Sequence, residues 1–508
     1  MLRVVKTENG WVRGIPAADP RITAFKGIPF AAPPVGDLRW KGPQPAKDWE
    51  GILDCYKFGP IAMQHTPGLD PDNLYAREWH VDPEIEMSED CLQLNIWTNA
   101  KTGDEKMPVM VWFYGGGLNE GYPAEMEFDG ERIARRGVIL VSVNYRVNMF
   151  GFLAHPEITA TAEDGCYTNF GHYDQRFGLM WVKRNIAAFG GDPDNITILG
   201  QSAGGRSTLF QLCSPLNDTD HIKKAISLSG GGINFMSAMS YPTLKEAEEN
   251  GVKFFEFLGV KSLEEAKKID AFTLRDKMLE FKGLRWGAVV DGVFLPDDPA
   301  KLLAANKRLP VPLMSGHTTN DGGDMFMRKA SKEEIRDQVI ALVGEEDAKE
   351  ILALANYDNA SLEELKDAFK INSQRFGIEL LQMRGNDADM PMYFYSFGPE
   401  IPGWDNPGAF HSSDLWFVFE SLAKCWRPFV GKHYDVARQM CNYFTNFAKC
   451  GDPNGLDANG EEMPTWDAFT NEAPYSMNFE DTCFMNKKDE LPAVKLLLEK
   501  VAEKAWRK

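Results

Sequence analysis

The pentapeptide Gly200-Gln201-Ser202-Ala203-Gly204 places a serine between two glycines with the spacing G-x-S-x-G. The segment before it, NITIL at 195–199, has a strand-like composition, and RSTLFQLC at 206–213 has a helix-like one. A sharp strand-to-helix turn holds a serine hydroxyl exposed as a nucleophile, and flanking glycines relieve the crowding there. The pattern predicts that Ser202 attacks an acyl carbon; the alternative, a chance glycine-rich turn, is disfavoured by the flanking segments.

A second glycine-rich segment, YGGG at 114–117, follows the apolar run MPVMVWF at 107–113. Glycine amides can approach a substrate oxygen closely because no Cβ is in the way. We expect the backbone N–H groups of Gly116, Gly117 and Ala203 to form an oxyanion hole for the charge that develops during acyl transfer. Its alternative is a plain glycine loop, which the position upstream of the Ser202 segment disfavours.

These segments belong to an alternation of apolar runs and longer amphipathic patterns. Continuous apolar runs are typical of strands that are buried on both faces, and the amphipathic patterns are typical of helices. The alternation predicts an α/β fold with a mixed or parallel sheet covered by helices, and no long linker interrupts the single domain expected over 1–508. The predicted strands are 107–113, 137–145, 195–199, 223–229, 311–315 and 390–396, and the predicted helices lie in 172–189, 244–282, 331–371 and 491–508.

Composition narrows the classes of partner. The 508 residues carry a formal net charge of −19, which disfavours nucleic acid as a partner because phosphate binding needs a basic surface. No run of 18 apolar residues is present, so no membrane span is expected, and the N-terminal segment has no apolar leader, which favours a cytoplasmic location. The spacing of the eight histidines and eight cysteines implies neither a metal nor another cofactor, and the cysteines are expected to be mostly reduced. The sequence leaves the oligomeric state open.

The chain resembles the type-B carboxylesterase family, which includes bacterial para-nitrobenzyl esterases and the cholinesterases. This resemblance implies an α/β-hydrolase fold, with a large, mostly parallel sheet flanked by helices and with inserted helices and loops around a gorge. It also implies hydrolysis of small-molecule esters through an acyl-enzyme intermediate, by a triad of Ser, Glu or Asp, and His in that order. The matching segments are 26–46, 89–97 (EDCLQLNIW), 109–117 (VMVWFYGGG), 144–153 (NYRVNMFGFL), 169–205 and 447–455 (FAKCGDPNG).

The resemblance assigns the rest of the triad. His411, in GAFHSSD at 408–414, takes the place of the general base, and its ordinary pKa of about 6.5 suits that role. The acid falls in GHTTNDGGD at 316–324, where the family usually has glutamate and this chain has Asp321, with Asp324 as the rival. Its role is to orient the imidazole and stabilise the imidazolium. Ser229, Asp414 and Gln201 are the candidates for polar groups that support the triad.

Two departures from the family concern substrate and redox state. The cholinesterases carry glutamate directly before the nucleophile, where this chain has the neutral Gln201, so choline esters are not expected as substrates. The disulfide that the resemblance implies would join Cys91 to the position that is Ala62 here. Cys55 is a substitute partner, but a reduced loop is favoured.

Several large side chains near the motifs are candidates for the wall of the gorge. An aromatic wall favours aryl or medium-sized apolar acyl groups, among them hydroxycinnamoyl groups, although a core position is the alternative for each residue. A catalytically silent adhesion module and an amidase or lactonase are the competing functions. The candidates for substrate contact are Tyr114, Leu118, Trp79, Trp404, Trp416 and Phe419.

Overall fold

A computed structural model describes residues 1–70, 72–233, 241–282, 284, 286–385, 390–487 and 491–506. Its apolar runs form strands, and those at the centre of the sheet are buried along their whole length, as the absence of alternation in the sequence predicts. The strands are β1 (Val4–Lys6), β2 (Trp11–Arg13), β3 (Ile15–Pro16), β4 (Thr23–Pro29), β5 (Ile52–Asp54), β6 (Gln93–Thr98), β7 (Met107–Phe113), β8 (Ile139–Val143), β9 (Gly191–Gln201), β10 (Lys224–Leu228), β11 (Leu313–Thr318), β12 (Met392–Phe397), β13 (Tyr475–Phe479) and β14 (Cys483–Lys487).

Eleven of the described strands form one sheet in the order β14-β13-β12-β11-β10-β9-β7-β8-β6-β4-β3. The pairs from β8 through β13 are parallel, whereas β6, β4 and β3 on one side and β14 on the other pair antiparallel. A separate small sheet has the order β1-β2-β5. The predicted strands are confirmed, although β9 begins earlier than expected, at Gly191.

Helices connect the parallel strands and pack against the sheet. The amphipathic stretches 244–282 and 331–371 are each divided into three helices, and the helix expected over 172–189 begins at Phe170 and ends in a 3-10 turn, Ile186–Phe189. The helices are α1 (Leu74–Glu78), α2 (Glu131–Arg135), α3 (Asn148–Phe152), α4 (Pro156–Thr161), α5 (Phe170–Asn185), α6 (Ala203–Cys213), α7 (Leu244–Leu258), α8 (Leu263–Lys267), α9 (Ala271–Glu280), α10 (Pro299–Ala304), α11 (Lys332–Val343), α12 (Glu345–Leu354), α13 (Leu362–Ala368), α14 (Ser373–Arg384), α15 (Leu415–Val418), α16 (Gly431–Cys450) and α17 (Pro492–Trp506).

The parallel strands bring the motifs together. Because β7, β9, β10, β11 and β12 all run in the same direction, the loops that follow them emerge at one edge of the sheet. The YGGG segment follows β7, Ser202 follows β9, and Asp321 follows β11 by three residues, while His411 lies in the long connection after β12. The topology therefore gathers these distant residues at the carboxyl ends of neighbouring strands.

Two further properties of the chain bear on the expectations from sequence. No helix in the described ranges is both long enough and apolar enough to cross a lipid bilayer. Cys55 and Cys91 are buried thiols that are not joined in a disulfide, and burial raises the pKa of Cys55 to about 12. That environment keeps a thiol protonated and unreactive.

Candidate active site

Ser202 lies at the turn between β9 and α6 with strained backbone angles, φ 55° and ψ −120°. The turn is so tight that its two motif glycines cannot carry side chains. A Cβ on Gly200 would lie 2.3 Å from the backbone of Gly204, and a Cβ on Gly204 would lie 2.0 Å from the carbonyl oxygen of Phe113. The G-x-S-x-G spacing is therefore the condition under which β9 can turn directly into α6 against β7.

The imidazole of His411 lies between a hydroxyl and a carboxylate. Its Nε2 is 2.8 Å from Ser202 Oγ, and its Nδ1 is 2.6 Å from Asp321 Oδ1. With the proton on Nδ1, the imidazole donates to the carboxylate and accepts from the serine hydroxyl. In this tautomer Nε2 has a lone pair directed at the proton that the nucleophile must lose.

The two candidate acids occupy different places. The Asp321 carboxylate is buried against His411, and its backbone carbonyl accepts a hydrogen bond from the Asn372 side chain. Asp324 is partly exposed, and its backbone pairs with that of Asn372 instead. The acid loop is also joined to the histidine loop, because the Asn320 amide donates to the carbonyl of Ala409 at 3.0 Å. Among the two, only Asp321 can act on the imidazole.

Charge and burial set the titration of the imidazole. Burial disfavours the imidazolium, but the hydrogen bond and the charge of Asp321 outweigh that effect, so the pKa of His411 is raised above its ordinary value of 6.5. Burial also raises the pKa of Asp414 to about 6, although Asp414 accepts a hydrogen bond from the Tyr395 hydroxyl at 2.8 Å. A second carboxyl close to the triad is thus partly protonated near neutral pH.

The polar residues expected around the triad fall into two groups. Gln201 reaches the imidazole, with 3.3 Å between its Nε2 and Nε2 of His411. The Ser229 hydroxyl is buried and forms no hydrogen bond with any described residue, while the Ser229 amide donates to Gly316 at 2.9 Å. Asp414 bonds Tyr395 rather than His411. Gln201 is therefore the one of the three whose side chain contacts the imidazole in the described structure.

The glycine segment after β7 packs directly against the nucleophile. A Cβ on Gly115 would lie 3.1 Å from Ser202 Cβ, and one on Gly116, whose φ is +101°, would lie 2.1 Å from the carbonyl of Glu120. Over the described ranges, the amides of Gly116, Gly117 and Ala203 donate to no other residue. Three N–H groups without a partner beside a serine hydroxyl are what an anionic oxygen bound to that serine requires.

A cavity of about 400 Å³ opens next to Ser202. Its floor is the glycine segment and the nucleophile, and one side is closed by the start of α7, by Leu284 and by residues 286–289. It is large enough for a small or medium-sized substrate. Other residues that line it are Leu118, Phe152, Arg206, Tyr241, Trp286 and Val289.

Of the six residues expected to contact substrate, Leu118 lines this cavity. Tyr114 is buried and stacks on Tyr145 at 4.2 Å, and Phe419 is buried edge-on against Trp112 at 5.0 Å, so both are core residues.

Trp416 and Trp79 are also buried, and Trp79 stacks on Phe410 at 6.4 Å. Trp404 is 78% exposed, with the guanidinium of Arg77 5.3 Å from its ring, so it lies at the surface. None of these five residues lines the Ser202 cavity, and their contact with substrate stays a prediction. Four of the five are buried, as large apolar side chains near a motif often are.

Sequence reasoning missed the residues that do form the wall. Tyr241, Trp286 and Val289 lie in segments that carry no catalytic motif, so no local pattern marks them. Arg206 could have been found, since it stands four residues after Ser202 at the start of a predicted helix, where one helical turn separates the two.

In the part of the chain that the structure describes, no three His, Cys, Asp or Glu side chains are placed so that they could hold a metal ion. The described polar groups nearest Ser202 are instead the imidazole, the carboxylates and the backbone amides discussed above.

The sequence of the chain is similar to those of known esterases along most of its length. The profile of the carboxylesterase family matches residues 2–496. The chain is similar to the fumonisin B1 esterase of Sphingopyxis macrogoltabida, with 33% identity over 82% of this chain and 74% of that protein. It is also similar to the para-nitrobenzyl esterase of Bacillus subtilis, with 31% identity over 92% of this chain and 93% of that protein.

Solved structures with a similar fold cover nearly the whole chain. A PNB esterase superposes with a TM-score of 0.76 at 28% identity, over 98% of this chain and 100% of that one. A carboxylesterase from Geobacillus stearothermophilus superposes with a TM-score of 0.75 at 29% identity, again over 98% and 100%. The arrangement of sheet and helices described above is therefore that of the α/β-hydrolase fold.

Proposed function

Because this chain belongs to the carboxylesterase family and is a serine carboxylesterase, we propose that it hydrolyses small to medium-sized esters through a triad of Ser202, His411 and Asp321. The acyl groups we propose are apolar or aromatic, for example hydroxycinnamoyl. The observation that carries the proposal is the pair of contacts on His411, 2.8 Å to Ser202 Oγ and 2.6 Å to Asp321 Oδ1.

Acylation begins with the serine hydroxyl. His411 Nε2 accepts its proton while Oγ forms a bond to the ester carbonyl carbon, which gives a tetrahedral intermediate. Asp321 stays ionised and stabilises the imidazolium at Nδ1. The amides of Gly116, Gly117 and Ala203 donate to the oxygen that carries the negative charge, and one such donor typically contributes about 3 kcal/mol to stabilisation of the transition state.

The intermediate then collapses. The carbonyl re-forms, the bond to the alkoxide oxygen breaks, and the imidazolium gives its proton to that oxygen, so that an alcohol leaves and an acyl-Ser202 remains. In the second half His411 accepts a proton from water, whose oxygen attacks the acyl carbon. The acid leaves, and Ser202 regains its proton from the imidazolium. These steps need no cofactor.

The walls of the cavity support the substrate class. Leu118, Phe152, Trp286 and Val289 offer apolar surface to an acyl or alkyl chain. Gln201, beside His411, is neutral, and Arg206 in the wall is cationic, so the cavity supports no preference for a choline ester.

We also propose that residues 1–508 form one domain, since one hydrophobic core extends from Val5 to Ala502.

Two measurements test the proposal. Short-chain p-nitrophenyl esters should give a burst of p-nitrophenol equal to the enzyme concentration, and a fluorophosphonate should add to Ser202 in the mass spectrum of a digest. Ser202→Ala should abolish both, whereas Ser361→Ala, which removes an exposed hydroxyl that caps α13, should leave both intact. Undiminished turnover in Ser202→Ala would falsify the proposal.

A panel of substrates separates the ester hydrolase from an amidase or a lactonase. An amide needs protonation of a poorer leaving group, so the matched p-nitroanilides should react far more slowly than the p-nitrophenyl esters. Equal rates on both, or a marked preference for cyclic esters, would favour the alternative.

A further inference from the structure

The Ser202 cavity contains one feature that the hydrolysis of an apolar ester does not use, the charged side chain of Arg206. Arg206 lies in the first turn of α6, and its amide donates to the carbonyl of Ser202 at 2.9 Å. An α-helix rises 1.5 Å per residue, so the two Cα atoms are separated by roughly one turn. The nucleophile and a cation thus stand side by side on the same wall.

The immediate neighbour of the Arg206 guanidinium is a phenol. Burial raises the pKa of Tyr241 and the charge of Arg206 opposes that rise, so the two groups are close in space. Tyr241 lines the same cavity. A phenol hydroxyl is a neutral partner and leaves donors of the guanidinium free for another acceptor.

No described carboxylate neutralises this cation. Arg206 forms no ion pair with any Asp or Glu of the described ranges, and the segment 234–240 that precedes Tyr241 contains neither residue type. Acids of the neighbouring elements have other partners: Glu246 accepts from Thr243, and Glu248 accepts from the Thr159 hydroxyl at 2.5 Å. Asp298, whose charge raises the pKa of Tyr241, accepts from the Ala300 amide at 2.8 Å. Among the described residues, this cation is therefore without an ion pair in a chain whose net charge is −19.

An arginine in a partly apolar cavity is costly unless an anion joins it. Its planar fork matches the two oxygens of a carboxylate and binds them with paired hydrogen bonds. Asn250, also in the wall, can donate to the same anion.

We infer that Arg206 binds a carboxylate of the substrate, so that the preferred esters carry a free carboxylate a few bonds from the scissile carbonyl. This inference rests on the proposed ester hydrolysis at Ser202. The carboxylate can belong to either half of the ester. In a monoester of a dicarboxylic acid it lies in the acyl half, and in an acylated hydroxy acid it lies in the alcohol half. The apolar wall then contacts the methylene chain between the two carbonyl groups.

Two pairs of isosteric substrates test this inference: one pair, the acyl arm, varies the acyl half of the ester, and the other, the alcohol arm, varies the alcohol half. In the acyl arm, monoethyl glutarate is compared with ethyl 5-oxohexanoate, which replaces the carboxylate by a neutral ketone. In the alcohol arm, 4-acetoxybutanoate is compared with 5-acetoxypentan-2-one. We expect the wild-type kcat/KM to favour the anionic member in at least one arm, and the arm that shows the preference identifies the half of the ester that Arg206 binds.

Variants at position 206 test whether Arg206 causes the preference for anionic substrates. A hydrogen bond to a charged group contributes enough that Arg206→Met should lower kcat/KM for the anionic substrate about 10- to 100-fold. The neutral isostere should change less than about threefold, since it makes no charged contact. Arg206→Lys should retain part of the preference, and Arg184→Met, which removes an exposed positive charge on α5, should retain all of it.

Competition provides a measurement that does not depend on the variant folding. Glutarate should inhibit p-nitrophenyl acetate hydrolysis by the wild type competitively, and more strongly than 5-oxohexanamide does. Equal inhibition by both compounds, a preference for neutral isosteres in both arms, or an anionic preference that survives in Arg206→Met would overturn the inference. Turnover of neutral esters that depends on Ser202 would leave the proposed function standing in each of those cases.

Discussion

The Asp321 carboxylate lies 2.6 Å from Nδ1 of His411, although it is one methylene shorter than the glutamate that is usual at this position in the family. The contact is made possible by the backbone. The Asn320 amide donates to the carbonyl of Ala409, which holds the acid loop against the histidine loop, and the carbonyl of Asp321 accepts from Asn372 at the start of α14. The shorter side chain reaches the imidazole because the two loops are joined.

This arrangement predicts that Asp321→Asn lowers kcat by roughly 10⁴-fold, since an amide in this place stabilises the wrong tautomer of the imidazole. Asp324→Asn should change kcat by less than about twofold, because Asp324 has no contact with His411 and a surface substitution of this kind is usually nearly neutral. Steady-state kinetics with p-nitrophenyl acetate measure both. A greater loss from Asp324→Asn would assign the acid to that residue.

The pH profile follows from the titration of His411. The general base must be neutral, so activity rises with pH through the pKa of the imidazole, which Asp321 raises above 6.5. We therefore expect the acid limb of kcat/KM to have its midpoint above pH 6.5. In Asp321→Asn the raising effect is lost while burial remains, so the limb in the residual activity should move to lower pH. A limb that stays in place would mean that another group titrates.

The raised pKa of Asp414 predicts that the stability of the folded protein depends on pH. Its pKa of about 6 in the folded protein exceeds the ordinary 3.8, so the folded state binds more protons than the unfolded state between these values. Stability therefore falls as the pH rises through this window, and the difference corresponds to about 3 kcal/mol at most. Asp414→Asn keeps an acceptor for Tyr395 and removes the titration.

Urea unfolding at pH 4.5 and pH 7.5 checks this prediction. The variant should gain stability relative to the wild type at the higher pH. A difference that does not vary with pH would show that Asp414 stays ionised throughout.

Gly116→Ala tests the proposed oxyanion hole. The added Cβ would lie 2.1 Å from the carbonyl of Glu120, so the turn must shift and move its amides. We expect kcat to fall by roughly 10²-fold or more, as on the loss of an oxyanion donor. Gly137→Ala is the matched control, since its φ is also positive, +76°, but nothing lies within 4 Å of the new Cβ. Comparable losses of activity in the two variants would attribute the effect to backbone strain alone.

We expect substitution of Arg427 to have a large effect on the stability of the protein. Its guanidinium is buried, bonds Glu78 Oε1 at 2.8 Å and Asp405 Oδ1 at 2.9 Å, and lies 5.5 Å from the ring of Phe410, the residue before His411. Arg427→Met removes the ion pair of the buried Glu78 and leaves Asp405 with Arg77, which should lower the free energy of unfolding by about 3–5 kcal/mol. Arg184→Met should have a much smaller effect, because its ion pair with Glu8 is exposed. Urea unfolding measures both variants.

The parts of the site that could be predicted from sequence are those whose cause leaves a pattern in a short stretch of chain. A Cβ on Gly200 would meet the backbone of Gly204 at 2.3 Å, and a Cβ on Gly204 would meet the carbonyl of Phe113 in β7 at 2.0 Å. Both requirements are visible as one glycine spacing around Ser202, although the second arises from another strand. The strands 107–113 and 195–199 were predicted for a similar reason, since burial on both faces removes alternation from the sequence. His411 and Asp321 were predicted through the family resemblance, because no local pattern links residues that are 90 positions apart.

The substrate wall was predicted poorly, and the reason is physical. Whether a tryptophan faces a cavity or the core depends on which distant segment packs against it, and hydrophobicity is the same in both cases. Thus Trp416 is buried and Trp404 is exposed, while Trp286, which has no motif nearby, lines the cavity.

The amino-acid sequence by itself determined the strained serine turn, the glycine loop and the strands that lead into them, because glycine spacing and continuous apolar runs are each visible within a short stretch of chain. Only the tertiary structure decided that Asp321 rather than Asp324 meets the imidazole, and that Arg206 stands in the cavity without a carboxylate among the described residues. Both facts depend on loops and helices that the fold brings together across the sheet. The number of residues between two such segments does not indicate how close they lie in space.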